Sequence, residues 1–182
     1  MITVIIPYYQ NKPGILAKAL KSIAAQKHLS VPVHVLVIDD ASPIPAKSEL
    51  EGIGPIDCNV QIILQPNGGP GAARNTGLDH APAGTRYIAF LDSDDEWSGE
   101  HLSRAAEALG AGYEFYFTDH FQRNSTIGAF ARAGRIQPSE HPQLPNTRPG
   151  LHAYQGDLLD QIIRGNVIGT STVVYDFLRF SK

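Results

Sequence analysis

The sequence predicts an α/β fold in three layers, with helices on both faces of a mainly parallel central sheet. Three observations predict it. β-branched apolar runs alternate with segments of helical periodicity along most of the chain. The runs are continuously apolar, as strands covered on both faces are. Each run stops at a cluster of Asp, Asn, Gly or aromatic residues, and open α/β sheets bind ligands beyond the carboxyl ends of their strands.

In order, Ile2-Thr3-Val4-Ile5-Ile6 predicts a strand ended by Pro7. A helix is expected from about Pro13, a residue tolerated in a first helical turn. Its Leu16, Ala19, Leu20, Ile23 and Ala24 fall on one face. Val31 to Ile38 predicts the second strand, closing at Asp39-Asp40, and a short helix covers Ala46 to Leu50. Val60 to Leu64 is the third strand, followed by the breaker run Asn67-Gly68-Gly69-Pro70-Gly71, read as a loop, and a helix over Ala72 to Leu78. Tyr87 to Leu91 is the fourth strand and ends at Asp92-Ser93-Asp94-Asp95. A helix from Glu100 to Leu109 and an aromatic strand from Tyr113 to Thr118 follow. Periodicity dissolves after Asp119: Asn124 to Gly150 is rich in Pro, Gly, Arg and His and reads as a hairpin, lid or insert. Leu151 to Arg164 predicts a helix, and Ser171 to Tyr175 a last strand.

Composition excludes several classes. Fifteen Lys+Arg against eighteen Asp+Glu give a net charge of −3 over 182 residues, so no cationic excess exists for bulk nucleic-acid binding. Apolar residues at 42% argue against disorder. The single Cys58 excludes an internal disulfide framework and a cysteine zinc site, and a reducing compartment is the simplest fit. No run approaches the ~20 apolar residues of a membrane span, and no signal peptide is evident, so a cytoplasmic protein is expected.

The chemistry gathers at the strand ends. Asp39-Asp40-Ala41-Ser42 also suits a turn and helix cap, and the Gly-rich run lacks the lysine of a phosphate loop. Asp92-Ser93-Asp94-Asp95 is harder to read as structural. Three crowded acids raise one another's pKa unless something positive sits on them, and a divalent ion with oxygen ligands answers that. Trp97 and Leu102 are expected beneath this loop.

Taken in order, Val4-Ile5-Ile6-Pro7-Tyr8-Tyr9-Gln10-Asn11, Val37-Ile38-Asp39-Asp40-Ala41-Ser42, Asn67-Gly68-Gly69-Pro70-Gly71-Ala72-Ala73-Arg74-Asn75-Thr76-Gly77 and Phe90-Leu91-Asp92-Ser93-Asp94-Asp95 resemble the family 2 inverting glycosyltransferases of the GT-A, Rossmann-like fold. The likeness covers residues 1 to about 118, and Gly165 to Thr172 resembles the segment after the acceptor region. It implies one domain over 1–182, with a donor-binding half over 1–118 and part of an acceptor side over 119–182. It further implies a nucleotide-diphosphate sugar, UDP-linked for preference, as donor and a carbohydrate or glycolipid hydroxyl as acceptor. By resemblance Tyr9 stacks on the base, Asp39 accepts from the base edge, Arg74 lies by base or diphosphate, and Asp92 meets the ribose or the metal. Pro7 and Ser93 complete the donor set. Asp94 holds Mn²⁺ or Mg²⁺, and Asp92, where it does not meet the ribose, is the other candidate ligand.

The family's base, in a Glu-Asp motif downstream of the strand matched by Thr172 to Tyr175, has no counterpart here. Asp176 reads as a surface turn residue, and Asp119 is the candidate left. The expectation is a truncated chain that binds donor and metal but transfers sugar poorly. It would leave Phe177, Leu178 and Phe180 uncovered for homodimer pairing, with any membrane contact made by regions outside it. A receiver module needs a lysine by its phosphorylated Asp, and none occurs between Lys47 and Lys182. A nucleotidyltransferase would carry a Gly-rich basic loop where Pro7-Tyr8-Tyr9 stands. The remaining alternative is a non-catalytic nucleotide-sugar-binding module.

Overall fold

The alternating faces of the first strand organise the molecule. Within β1 (Ile2–Tyr8), Ile2, Val4, Ile6 and Tyr8 join one core cluster while Ile5 joins another, so successive side chains feed opposite faces of the sheet. A computed structural model describes residues 1–54, 56, 58–122 and 124–180. Arg123, Ser181 and Lys182, which belong to stretches discussed above, lie outside the described residues.

Among the described residues, six strands run in the order β3-β2-β1-β4-β6-β5. β2 (Val33–Asp39), β3 (Asn59–Leu64) and β4 (Tyr87–Phe90) are parallel to β1 or to each other, and β6 (Val174–Asp176) runs against both β4 and β5 (Phe115–Tyr116). Helices α1 (Leu16–Ala24), α2 (Ala46–Ile53) and α4 (His101–Gly110) supply Leu16, Leu20, Ala46, Leu102 and Leu109 to the larger core on one face. On the other face α3 (Gly69–Asp79) brings Ala73 and Leu78 against Ile5, Leu36, Ile38 and Ile88. The arrangement is the expected three-layer α/β/α sandwich. Burying each large apolar side chain contributes roughly 1.5–3 kcal/mol before entropy is charged against it.

Pro7 does not end the first strand, which pairs through Tyr8 with Asp39. Leu91 N–H donates to Ile5 C=O, whereas Asp40 N–H donates to Tyr8 C=O, so odd residues of β1 face β4 and even ones face β2. The β4 ladder ends at Ile5↔Phe90, so Pro7 sits where no neighbour asks for its missing N–H.

Other expectations need correcting. The first helix starts at Leu16 instead of near Pro13, and Ala24 is exposed. The Gly-rich run is no loop: Gly69, Pro70 and Gly71 form the first turn of α3, with Pro in the early position its lost N–H permits. The aromatic strand shrinks to Phe115–Tyr116, and the helix over Leu151 to Arg164 shrinks to α6 (Leu158–Arg164), because Leu151 pairs back on Leu144 instead. Both leucines are buried in the larger core, and Arg148 ties the same stretch to Glu107 of α4 at 2.7 Å. Ser171 lies in a 3-10 turn over Thr170–Thr172, ahead of β6. Asp176 is no surface residue: it ends β6 at 2% exposure, with Arg86 at 3.6 Å and Arg179 at 3.9 Å. In α7 (Phe177–Phe180), Phe177 packs on the α3-side core, while Leu178 and Phe180 remain about half exposed. Among the described residues no helix is long and apolar enough to cross a membrane.

Candidate functional site

Strand order reverses between β1 and β4, since the chain moves outward through β2 and β3 and returns to place β4 on the other side of β1. Such a switch point opens a crevice at the carboxyl edge of the sheet. Here it is a hollow of about 650 Å³. Pro7 and Tyr9 enter from the end of β1, Asp40 from β2, Arg74 from α3, and Asp92, Ser93 and Asp94 from β4. Tyr9 is 48% exposed, whereas Tyr8 beside it, which also borders the hollow, is buried in the core.

The two neighbouring acids after β2 do different work. Asp39 is 3% exposed and lies outside the hollow's lining. Its Oδ1 accepts from Ser42 N–H and its Oδ2 from Ala46 N–H, both at 2.8 Å, which fixes the turn and the start of α2. Asp40 is equally buried, at 3%, but lines the hollow. Its Oδ1 accepts from Gly68 N–H at 2.8 Å and from the Gln65 amide at 2.6 Å, and its Oδ2 accepts from Gly69 N–H at 2.8 Å. Burial raises the Asp40 carboxyl, but the bonds from Gly68, Gln65 and Gly69 outweigh it and hold the group below the usual carboxylate range. The Gly-rich run thus cradles a protein carboxylate. Gly69 is required there, because its φ of +83° is in the left-handed region.

The acidic stretch is a turn. Asp95 N–H donates to Asp92 C=O at 3.0 Å, leaving Asp94 exposed near its tip. Arg74 Nη2 donates to Asp92 Oδ1 at 2.5 Å, and the Gln10 amide donates to Ser93 Oγ at 2.9 Å. Below the turn Leu102 is fully buried and Trp97 half-buried, as expected, and His101 stacks on Trp97 with ring centroids 4.6 Å apart. Among the described residues no three His, Cys, Asp or Glu side chains are grouped to hold a metal by themselves. Asp92 and Asp94 do face one cavity, and a hard cation of the Mg²⁺ type commonly takes only one or two carboxylates, with phosphate oxygens and waters completing its shell. The donor set fits such an ion.

Asp119 belongs elsewhere. Its Oδ1 accepts from His120 N–H at 2.8 Å and Phe130 N–H at 3.0 Å, at the start of α5 (Ala129–Ala133). It lines a second cavity of about 390 Å³, walled by Phe117, Phe130, Tyr154 and His141. Asp40 and Ser171 are the site-shaping residues that reading the sequence passed over. The doubled Asp was a signal for the first, and no local signal marked the second.

Comparison with known proteins shows the fold and the family. The chain is 52% identical over 109 residues to the succinoglycan biosynthesis protein ExoW of Rhizobium meliloti (strain 1021), covering 59% of this chain and 34% of that protein. TarS 1–349 of S. aureus, solved with UDP-GlcNAc, superposes with a TM-score of 0.64 at 22% identity, covering 96% of this chain and 45% of that one. The mannosyltransferase PcManGT of Pyrobaculum calidifontis, solved with GDP-Man and Mn²⁺, gives 0.55 at 22% identity over 65% of this chain and 35% of that one. The chain therefore spans about a third of ExoW and less than half of either solved structure. The sequence profile described as Glycosyl transferase family 2 matches residues 3–173, nearly the whole chain, and the protein is a member of that family.

Proposed function

We propose that this chain carries the donor-binding centre of a metal-assisted, inverting glycosyltransferase that takes a UDP-sugar and serves polysaccharide assembly. One observation carries the reading: the hollow joins an exposed aromatic ring, a guanidinium and the Asp92 and Asp94 carboxylates at the switch point of the sheet. ExoW, by its name, works in succinoglycan biosynthesis, and TarS was solved with a UDP-sugar.

In this reading Tyr9 stacks on the base, which any nucleobase face allows. Asp40, not Asp39, is the strand-end acid that faces the nucleoside. Arg74 turns from Asp92 toward the diphosphate, for which its planar fork is suited. Asp94, with Asp92 beside it, would hold Mn²⁺ or Mg²⁺. When bound, that ion acts as a Lewis acid for the charge developing on the departing nucleoside diphosphate. The acceptor, a carbohydrate or glycolipid hydroxyl, attacks the anomeric carbon from the opposite face, and its proton passes to a base. Asp119 is not assigned that role, because its Oδ1 caps α5.

The test is a thermal-shift panel of UDP, GDP, CDP and dTDP with and without Mn²⁺. A ligand at a hundred times its Kd stabilises by about 2.7 kcal/mol, a shift of about 5–10 °C at this size. UDP with Mn²⁺ is expected to give the largest shift, and Asp94→Asn to remove its metal-dependent part. An Asp94→Asn protein that responds like the parent would overturn the site.

A further inference from the structure

One hydroxyl fixes both ends of the acidic turn. Ser171 Oγ accepts from Asp92 N–H at 3.0 Å and donates to Asp95 Oδ2 at 2.6 Å. The carbonyl of the same residue accepts from Trp97 Nε1 at 2.5 Å. The turn closed by Asp95 N–H and Asp92 C=O is therefore pinned at its first and last residues by a side chain 79 and 76 positions away, with Asp94 between them. A hydroxyl does this where a methyl cannot. Its proton is drawn to the Asp95 carboxylate, which leaves a lone pair directed at Asp92 N–H.

Ser171 is itself held. It is 8% exposed, and Thr172 N–H and Thr172 Oγ1 both return to Gly169 C=O, at 2.9 and 2.7 Å. Val167 and Ile168 anchor the preceding residues in a core cluster with Phe130 and Ile136, and β6 pairs with β4 immediately afterwards. Asp95 is kept turned toward Ser171, and only Asp92, Ser93 and Asp94 of the turn line the hollow. Ser171 does not line it.

We infer that Ser171 is a positioning residue for the donor site: it holds the 92–95 turn so that Asp94 meets a divalent cation carried in on a nucleoside diphosphate. This rests on the donor reading above. The hydroxyl touches neither Tyr9 nor Asp40, and it reaches Arg74 only through Asp92, whose backbone N–H it holds and whose carboxylate accepts from Arg74. Ser171 thereby makes the segment ahead of β6 part of the metal side of the site.

The test measures UDP binding by calorimetry with and without Mn²⁺, and reads the ratio of the two affinities. In Ser171→Ala that ratio is expected to fall about tenfold or more, the usual cost of removing a residue that orients a metal ligand, while metal-free UDP binding, which Ser171 reaches only through Asp92, falls by a smaller factor. Asp95→Ala breaks the same link from an exposed position and keeps the test open should Ser171→Ala fold poorly. It is expected to lower the ratio too, and the double variant to lower it no further than the larger single change. A Ser171→Ala protein with the parent's ratio, or one that loses metal-free and metal-bound affinity in equal measure, overturns the inference. A parent chain that binds no UDP with Mn²⁺ overturns the donor reading itself, before any variant is made.

Discussion

Arg74 reaches Asp92 across the mouth of the hollow, Nη2 to Oδ1 at 2.5 Å, joining α3 to the end of β4. The side chains keep 21% and 37% of their surface, so water screens the pair and it contributes no more than about 1 kcal/mol to folding. Arg74 also lines the hollow, and its Nε is buried without a partner among the described residues. Arg74→Ala is therefore expected to change the melting temperature of the free protein by no more than about 4 °C. It should weaken UDP by about tenfold to a hundredfold, the worth of a charge-assisted hydrogen bond. Calorimetry on the variant decides this, and retained affinity would remove Arg74 from the donor set.

The neighbouring acids after β2 should separate by assay. Asp39→Ala leaves the N–H groups of Ser42 and Ala46 without their buried partner and is expected to cost about 2–3 kcal/mol, or about 5–10 °C. A variant that melts like the parent would show those bonds to be dispensable. Asp40 holds the start of α3 and also faces the hollow, so Asp40→Asn is expected to lower both stability and UDP affinity. Because its carboxyl is depressed in the folded state, its stabilising share is complete above the unfolded carboxylate range and is lost as pH falls through the lower folded value.

That pair also marks how far the sequence can be read. The runs that became β1 to β4 and the acids at their ends were legible, because apolar continuity and strand-end polarity are local signals. Which of two consecutive acids faces the hollow is not local. Side chains alternate across a strand, and only the register of Asp39 with Tyr8 and of Asp39 with Leu64 settles the side. The Gly-rich run read as a loop, because what makes it helical is a carboxylate 28 and 29 residues earlier. Ser171 was invisible for the same reason. Residues 142–151 carry no periodicity at all, since Leu144, Leu151 and Arg148 anchor an irregular strap to α4 one side chain at a time.

Close packing of α3 on β1 gives a third expectation. A Cβ on Gly77 would lie 2.4 Å from Ile5 Cγ2 and 3.0 Å from Ile5 Cγ1, so Gly lets the helix approach the branched side chain of this strand. Gly77→Ala should push α3 outward and cost about 1–3 kcal/mol. Arg74 rides on the same helix, one turn earlier, and UDP affinity should fall with it. The penalty should shrink when Ile5→Ala is already present, because the clashing branch is gone. Equal penalties in both backgrounds would mean that the helix does not rest on Ile5.

The floor beneath the acidic turn is expected to be acid-sensitive. His101 is 4% exposed, stacked on Trp97 and tilted against Tyr116 with centroids 5.6 Å apart, and its Nε2 has no partner among the described residues. Burial pushes its imidazole down to about 4 from an ordinary 6.5. Between those values the unfolded chain takes a proton that the folded protein refuses, so stability is full above pH 6.5 and declines as the solution is acidified toward pH 4. Moving from pH 8 to pH 5 should therefore remove about 2 kcal/mol through this residue alone. Urea unfolding at the two pH values, in the parent and in His101→Phe, isolates that share. Phenylalanine keeps the stack on Trp97 without a titrating ring, so the variant should lose about 2 kcal/mol less than the parent on acidification. Identical acid losses in parent and variant would show that His101 is protonated in the folded protein at no such cost.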